Sequence, residues 1–241
     1  MLKLLHLVCT CFVLIQLAAA QTANTDNKTP ITFVAGTYEA VVDEHSALYN
    51  GPEHVDYDAR TVGSPYYQTL DWMKGTVYSK GIVYKNVPVK YDQVKDKLVV
   101  QHHNGFYKID MISENIDSFS VAGRSFLYLT KSQYPFLPKT GFYDVLQSPA
   151  LTLMIRRESR IVETIESMEV KRRVEAKDLY FVLKDGKSYT INKQGALLSL
   201  MDNKRREIQQ HLKRNGLRFR KNKEQAITTA VQYYNQLNQA N

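Results

Sequence analysis

The sequence predicts an α+β fold: a predominantly antiparallel β-sheet, a curved sheet or partial barrel, followed by two C-terminal amphipathic helices. Three observations carry this. From Trp72 to Asn192, short runs rich in Val, Ile, Tyr and Phe alternate with turn residues, the pattern of antiparallel strands. Beyond Ala196 the apolar residues recur at helical spacing. The composition is that of a folded chain: 241 residues, 44% apolar and 23% charged, with 11 Gly and 7 Pro, which excludes collagen-like, disulfide-dense and wholly disordered classes.

Met1 to Ala20 reads as a signal peptide. Lys3 gives the positive start, Leu4 to Leu17 the apolar stretch, and Ala18-Ala19-Ala20 the small-residue cleavage site. The stretch is too short for a transmembrane anchor and lacks its flank. Both cysteines, Cys9 and Cys11, fall inside it, preceded by Val8 and Thr10 rather than by the small residues a lipobox needs. The expected mature protein is soluble, periplasmic or extracellular, and free of disulfides, thiol nucleophiles and cysteine-ligated metals. Asn27-Lys28-Thr29 matches a glycosylation sequon, which matters only in a eukaryotic secretory pathway.

Residues 21–30 read as a flexible polar leader, and 31–241 as a single β-rich domain. Turn formers at Asn50-Gly51-Pro52 and Gly63-Ser64-Pro65 leave room for one early strand, near Thr32 to Ala35 or Tyr38 to Val42. Gly75 to Ser79 and Ile82 to Tyr91 flank a hairpin turn at Lys80-Gly81. Val87, Val89 and Tyr91 share a face, and Pro88, without an N–H, implies an edge or a bulge. Lys97 to His102 and Phe106 to Met111 flank Asn104-Gly105, the strongest hairpin signal in the chain. Further strands are expected at Ile116 to Val121, Ser125 to Thr130, Gly141 to Leu146, Leu151 to Arg156, Asp178 to Leu183 and Ser188 to Asn192. Arg160 to Ala176 fits a helix through Ile161, Ile165 and Met168, or a long strand through Ile161, Glu163 and Ile165; its neighbours favour strand. Ala196 to Arg214 reads as an amphipathic helix stopped by Asn215-Gly216. Asn222 and Gln225 cap a last helix facing inward with Ala226, Ile227, Ala230, Val231, Tyr234 and Leu237, completing a helical hairpin over 196–238.

The formal net charge is +8. Such a balance fits nucleic acid, anionic lipid or anionic glycan, and export sets nucleic acid aside. Lys204 to Lys223 holds nine bases against one acid, Glu207. Arg205, Arg206, Lys213, Arg214, Arg218, Arg220 and Lys221, with Phe219 among them, are candidates for contact with anionic lipid headgroups, lipopolysaccharide or an envelope protein. The same charges also suit a solubilising helix face. Asp43-Glu44-His45 and the run Glu53 to Asp58 contain the groups that zinc or an acid–base pair uses, so a hydrolase built on Glu44, His54 and Asp58 is one reading and a solvated loop the other. No HExxH, HxH or calcium-loop spacing accompanies them. His102-His103 cannot chelate one ion from a regular strand, because neighbours point to opposite faces. Neither G-x-S-x-G, S-x-x-K nor a phosphate-cradling glycine loop is present. No catalytic residue, metal site or cofactor is expected. The 16 tyrosines suit either a glycan- or peptide-binding surface or a sheet lining with one wet end.

Trp72-x-x-Gly75-Thr-Val-Tyr-Ser-Lys-Gly81-Ile-Val-Tyr84-Lys-Asn-Val-Pro-Val-Lys-Tyr91-Asp92, Asp96-Lys-Leu-Val-Val, Gly141-Phe-Tyr-Asp-Val-Leu146 and Val231-Gln-Tyr-Tyr-Asn235 resemble a family of uncharacterised exported proteins from Bacteroidota. The resemblance runs as scattered strand motifs through Gly63 to Asn235. It implies a cell-envelope setting and brings no activity with it. The resulting expectation is a non-enzymatic envelope protein that binds a protein partner. The alternative is a lipid or lipoprotein carrier with an apolar cavity between sheet and helices.

Overall fold

The computed structural model describes residues 38–40, 46–148 and 150–239. The signal peptide, the leader, the strand alternative at Thr32 to Ala35 and the Asp43-Glu44-His45 cluster lie outside the described residues. Thirteen strands are described: β1 (Tyr38–Ala40), β2 (Met73–Ser79), β3 (Ile82–Asp92), β4 (Lys97–Gln101), β5 (Lys108–Asp110), β6 (Ile116–Val121), β7 (Arg124–Leu129), β8 (Gly141–Leu146), β9 (Thr152–Arg156), β10 (Ser159–Glu166), β11 (Glu169–Ala176), β12 (Leu179–Lys184) and β13 (Lys187–Thr190). Eleven form one open sheet along the path β13-β12-β9-β8-β7-β6-β2-β3-β4-β5, with β1 added in parallel to β3. Every pairing along that path is antiparallel, as hairpin turns such as Lys80-Gly81 and Asp185-Gly186 require. The fold is therefore the expected α+β class, with the sheet unclosed.

Pro88 sits inside this sheet rather than on its rim. It pairs with Lys74 of β2, while on its other side, among the described residues, pairing with β1 reaches Tyr84 and pairing with β4 starts at Val89, opposite Val100. Among the described residues no strand pairs with it on that side, so its missing donor is tolerated, and a register shift in β2 between Gly75 and Val77 supplies the irregularity.

Alternation divides the sheet into two faces. One bears an aromatic core in which Phe119 stacks on Phe126 at 4.7 Å, joined by Tyr91 and Phe142. Farther along the same face, Leu153, Ile155, Tyr180 and Val182 meet the helices α1 (Gln194–Leu198), α2 (Arg205–Arg214) and α3 (Lys223–Gln239). The other face holds Leu127, Tyr143, Val145, Met154 and Phe181, covered by Tyr134 and Leu137 from the loop after β7.

Two expected elements take a different form. The helix expected over Ala196 to Arg214 is broken into α1, a single 3₁₀ turn at Asp202–Lys204, and α2. Asp202 adopts φ 43°, and its carboxylate accepts from Lys184 Nζ at 2.5 Å and Tyr234 Oη at 2.9 Å. These tertiary bonds hold the chain out of helical geometry. The segment Arg160 to Ala176 is extended, yet it is a hairpin of β10 and β11 that leaves the sheet after Arg156 and re-enters at Leu179, the residue paired with Arg156. It forms an arm separate from the main sheet. Among the described residues no helix is long and apolar enough to cross a membrane.

Candidate functional site

The C-terminal cations are positioned by apolar anchors. Ile208 and Leu212, four apart on α2, are buried in the cluster that also holds Ala226, Ile227, Ala230 and Val231 of α3. This turns the rest of α2 outward. Arg206 and Lys213, seven residues apart, therefore lie on one outward stripe, with Arg205 and Arg214 to its sides. Gly216 (φ 66°) ends the helix, and the following turn presents Arg218, Arg220 and Lys221. All seven bases are exposed, and among the described residues none makes an ion pair with a carboxylate. Glu207, the one acid of the segment, instead accepts from Tyr233 Oη at 3.0 Å. The Phe219 ring, which could either insert at an interface or cover the sheet, is half-buried against the helix–sheet core.

Of Glu44, His54 and Asp58, the structure places the last two in separate networks. Glu44 lies outside the described residues. Asp58 pairs with Arg60 at 2.8 Å and with Arg172 of β11 at 2.9 Å. His54 is buried in another network: its Nδ1 lies 2.6 Å from Asp110 Oδ1 and its Nε2 2.7 Å from Tyr66 Oη. Tyr66 Oη in turn reaches Asp56 Oδ1 at 3.4 Å, and Asp56 pairs with Lys108. Nearby, Tyr57 Oη donates to both oxygens of Asp92, at 2.9 and 2.7 Å. Asp110 and Lys90 belong to one cross-strand row through Val99, which puts both on the face opposite the aromatic core.

A carboxylate–imidazole–hydroxyl chain has the connectivity of an activated nucleophile, but its electrostatics oppose that use. Burial and the carboxylates of Asp56, Asp92 and Asp110 push the Tyr66 phenol well above its ordinary value. Burial and Asp92 do the same to Tyr57. Both oxygens retain their protons and act as hydrogen-bond donors, so the network fastens residues 54–66 to β3 and β5. Lys90 lies over the rings of Tyr66 (5.1 Å) and Trp72 (4.5 Å), and desolvation, with Lys108 nearby, lowers its ammonium.

His102 and His103 fall in the loop between β4 and β5, where alternation does not apply, and their rings lie 4.2 Å apart beside Tyr49. Among the described residues no group of three or more His, Cys, Asp or Glu is disposed to hold a metal ion.

Two buried arginines belong to no motif of the sequence. Arg157 donates to Asp144 at 2.6 Å, to Asp178 at 2.6 Å and to both oxygens of Glu224 on α3 at 2.6 Å. Arg156 reaches Asp96 at 2.5 Å and the carbonyl of Phe142 at 2.8 Å. Its guanidinium passes over Gly141, where φ is 145° and a Cβ would collide with both Arg156 and Asp96. The available signal was an Arg pair closing the apolar run Leu151 to Ile155, together with a lone Asp144 inside Gly141 to Leu146. Arg157 secures one end of α3. At the other, Asn235 both accepts from the Leu151 N–H (2.9 Å) and donates to its carbonyl (3.0 Å).

No family model, curated protein or solved structure matches the chain.

Proposed function

We propose that this is a non-enzymatic, exported envelope protein that docks on anionic lipid headgroups through the cationic face of α2 and the turn after it. The supporting observation is the set of seven exposed bases without a carboxylate partner among the described residues, held at fixed spacing by a buried apolar stripe. At about 1 kcal/mol for each base near an anionic membrane, they give on the order of 7 kcal/mol, or roughly 10 micromolar affinity at best. From Thr190 to Gln239 no large apolar side chain is exposed, so the contact is electrostatic and reversible rather than inserted. Leu153, Ile155 and Val182 of the sheet share one buried cluster with Ala226, Ile227 and Val231 of α3, which supports a surface contact over a ligand held between sheet and helix.

Co-sedimentation with vesicles tests this reading. The protein is expected to pellet with phosphatidylglycerol-rich vesicles at low salt, to stay in solution with phosphatidylcholine alone, and to be released by roughly 0.5 M NaCl, where the Debye length falls to about 4 Å. R206E/K213E should weaken binding at least tenfold. Equal binding to neutral vesicles, or binding unchanged in R206E/K213E, overturns it.

A further inference from the structure

Sheet edges invite pairing unless something blocks them. The main sheet blocks both ends of its ten-strand path. β13 at one end is four residues long and begins with a lysine. β5 at the other is covered by main chain, since His54 N donates to Lys108 O at 2.7 Å and Asp110 N to Pro52 O at 2.9 Å. Beyond Ser159, the outer edge of β10 has none of these devices among the described residues. It is eight residues long, contains neither Pro nor Gly, and among the described residues pairs only with β11.

The arm's turn fixes which groups face outward. Ser167 and Met168 form a two-residue turn closed by the pair Glu166 and Glu169. Hydrogen bonding across the arm then alternates from Glu166 backward, leaving the peptide groups of Ile161, Glu163 and Ile165 pointing away from β11. Ser159, in the same phase, does point outward: its N–H donates to Gln93 O at 3.0 Å.

We propose that β10 is a self-association edge, through which two copies of the chain pair antiparallel about a two-fold axis at Glu163 and join their arms into one four-stranded sheet. The sequence of the strand is self-complementary in that register. Arg160 falls opposite Glu166 of the second copy, Ile161 opposite Ile165, and Val162 opposite Thr164, each pair occurring twice. The two Glu163 residues meet at the axis, but each is already held by its own Arg172 at 2.7 Å. Centring the pairing one residue earlier sets Ile161 against Glu163, and two earlier sets Arg160 against Val162, so the charge match selects the Glu163 register. Ile165, 80% exposed on the single arm, gains a cover. Pairing along Arg160 to Glu166 covers less than the roughly 1,200 Å² at which stable interfaces begin, so the dimer is weak and concentration-dependent.

Sedimentation velocity of the full chain over a dilution series tests the pairing. The wild type is expected to shift from monomer to dimer as concentration rises, and E163P to stay monomeric. That proline removes only an outward N–H, leaving the β10–β11 ladder its donors. E166R, which sets Arg against Arg160, should weaken the dimer at least tenfold, and R160E/E166R should restore it. A wild type that stays monomeric throughout overturns the proposal. So does a dimer unaffected by E163P and E166R, which would mean another surface pairs. Since vesicle binding uses other residues, E163P separates the two proposals: it should still bind anionic vesicles.

Discussion

The β10–β11 arm and the C-terminal segment from α2 to the start of α3 are both rich in charge and use it in opposite ways. On the arm, Arg160 meets Glu175, Lys171 meets Glu166, and Arg172 bridges Glu163 and Asp58. Between Lys204 and Lys223 the only acid, Glu207, is taken by a tyrosine, and the exposed bases are left for the outside. Apolar content is inverted as well. The arm exposes Ile165, Met168 and Val170, whereas the segment buries Ile208, Leu212 and much of Phe219. A region placed by its apolar anchors can present unbalanced charge to a partner. A region with no core beneath it settles its charges internally, and what it has left to offer is backbone and a few apolar side chains.

If that contrast is right, the two regions should differ most in stability. Arg157→Ala takes the arginine from Asp178 and leaves Asp144 and Glu224 to Arg124 alone beneath α3, and should destabilise the protein by about 3–5 kcal/mol. A shift in the urea midpoint corresponding to less than 1 kcal/mol would show that α3 does not depend on this clamp. Leu212→Ala should cost about 2–5 kcal/mol, and Met168→Ala on the arm almost nothing, in the same assay. A large loss from Met168→Ala would mean the tip is already covered.

Acid should weaken the helical side selectively. Arg157 holds the Glu224 carboxyl below its ordinary value, so the stabilisation is present above the ordinary glutamate range and is lost as pH falls through the lowered value. Asp178 runs the other way: burial raises it, so its contribution is present at low pH and is lost as pH rises through its folded value. The stability gap between wild type and Glu224→Gln should therefore close as pH falls below about 4. A gap of constant size down to pH 3 would remove the ion pair from the explanation.

The smallest effects belong to the arm. Arg172→Ala should cost under about 1 kcal/mol, as exposed pairs do. Met168→Gly should stabilise by about 1 kcal/mol, because Met168 sits at φ 65° where a side chain is disfavoured. Thermal melts would register both, and a destabilised Met168→Gly would show that the methionine has a contact of its own.

The fold was legible wherever turn chemistry was explicit. Lys80-Gly81, Asn104-Gly105 and Asp185-Gly186 each mark the turn between two observed strands. The arm was only half legible, since Ser167-Met168 carries neither Gly nor Asn although both residues adopt positive φ. The break before α2 was hidden for a different reason: it depends on Lys184 and Tyr234, both distant in sequence from Asp202. Among candidate residues, the outward bases could be read from helical period alone. The partners of His54 could not, because Asp110 is 56 positions away and reaches it through strand pairing that no local pattern encodes.

The bond between Asn235 and Leu151 spans 84 positions of chain, and with it comes an order of events. A chain that emerges from its N-terminus has every strand of the sheet in hand while Leu153, Ile155, Tyr180 and Val182 still face water, because the helix that covers them comes last. Until that final segment arrives, the polypeptide remains adhesive on one side, and a chain cut short before Lys223 would carry the same bare strip permanently. Completion of the C-terminus thus acts as the release step of folding, and truncated products should be recognisable by their stickiness.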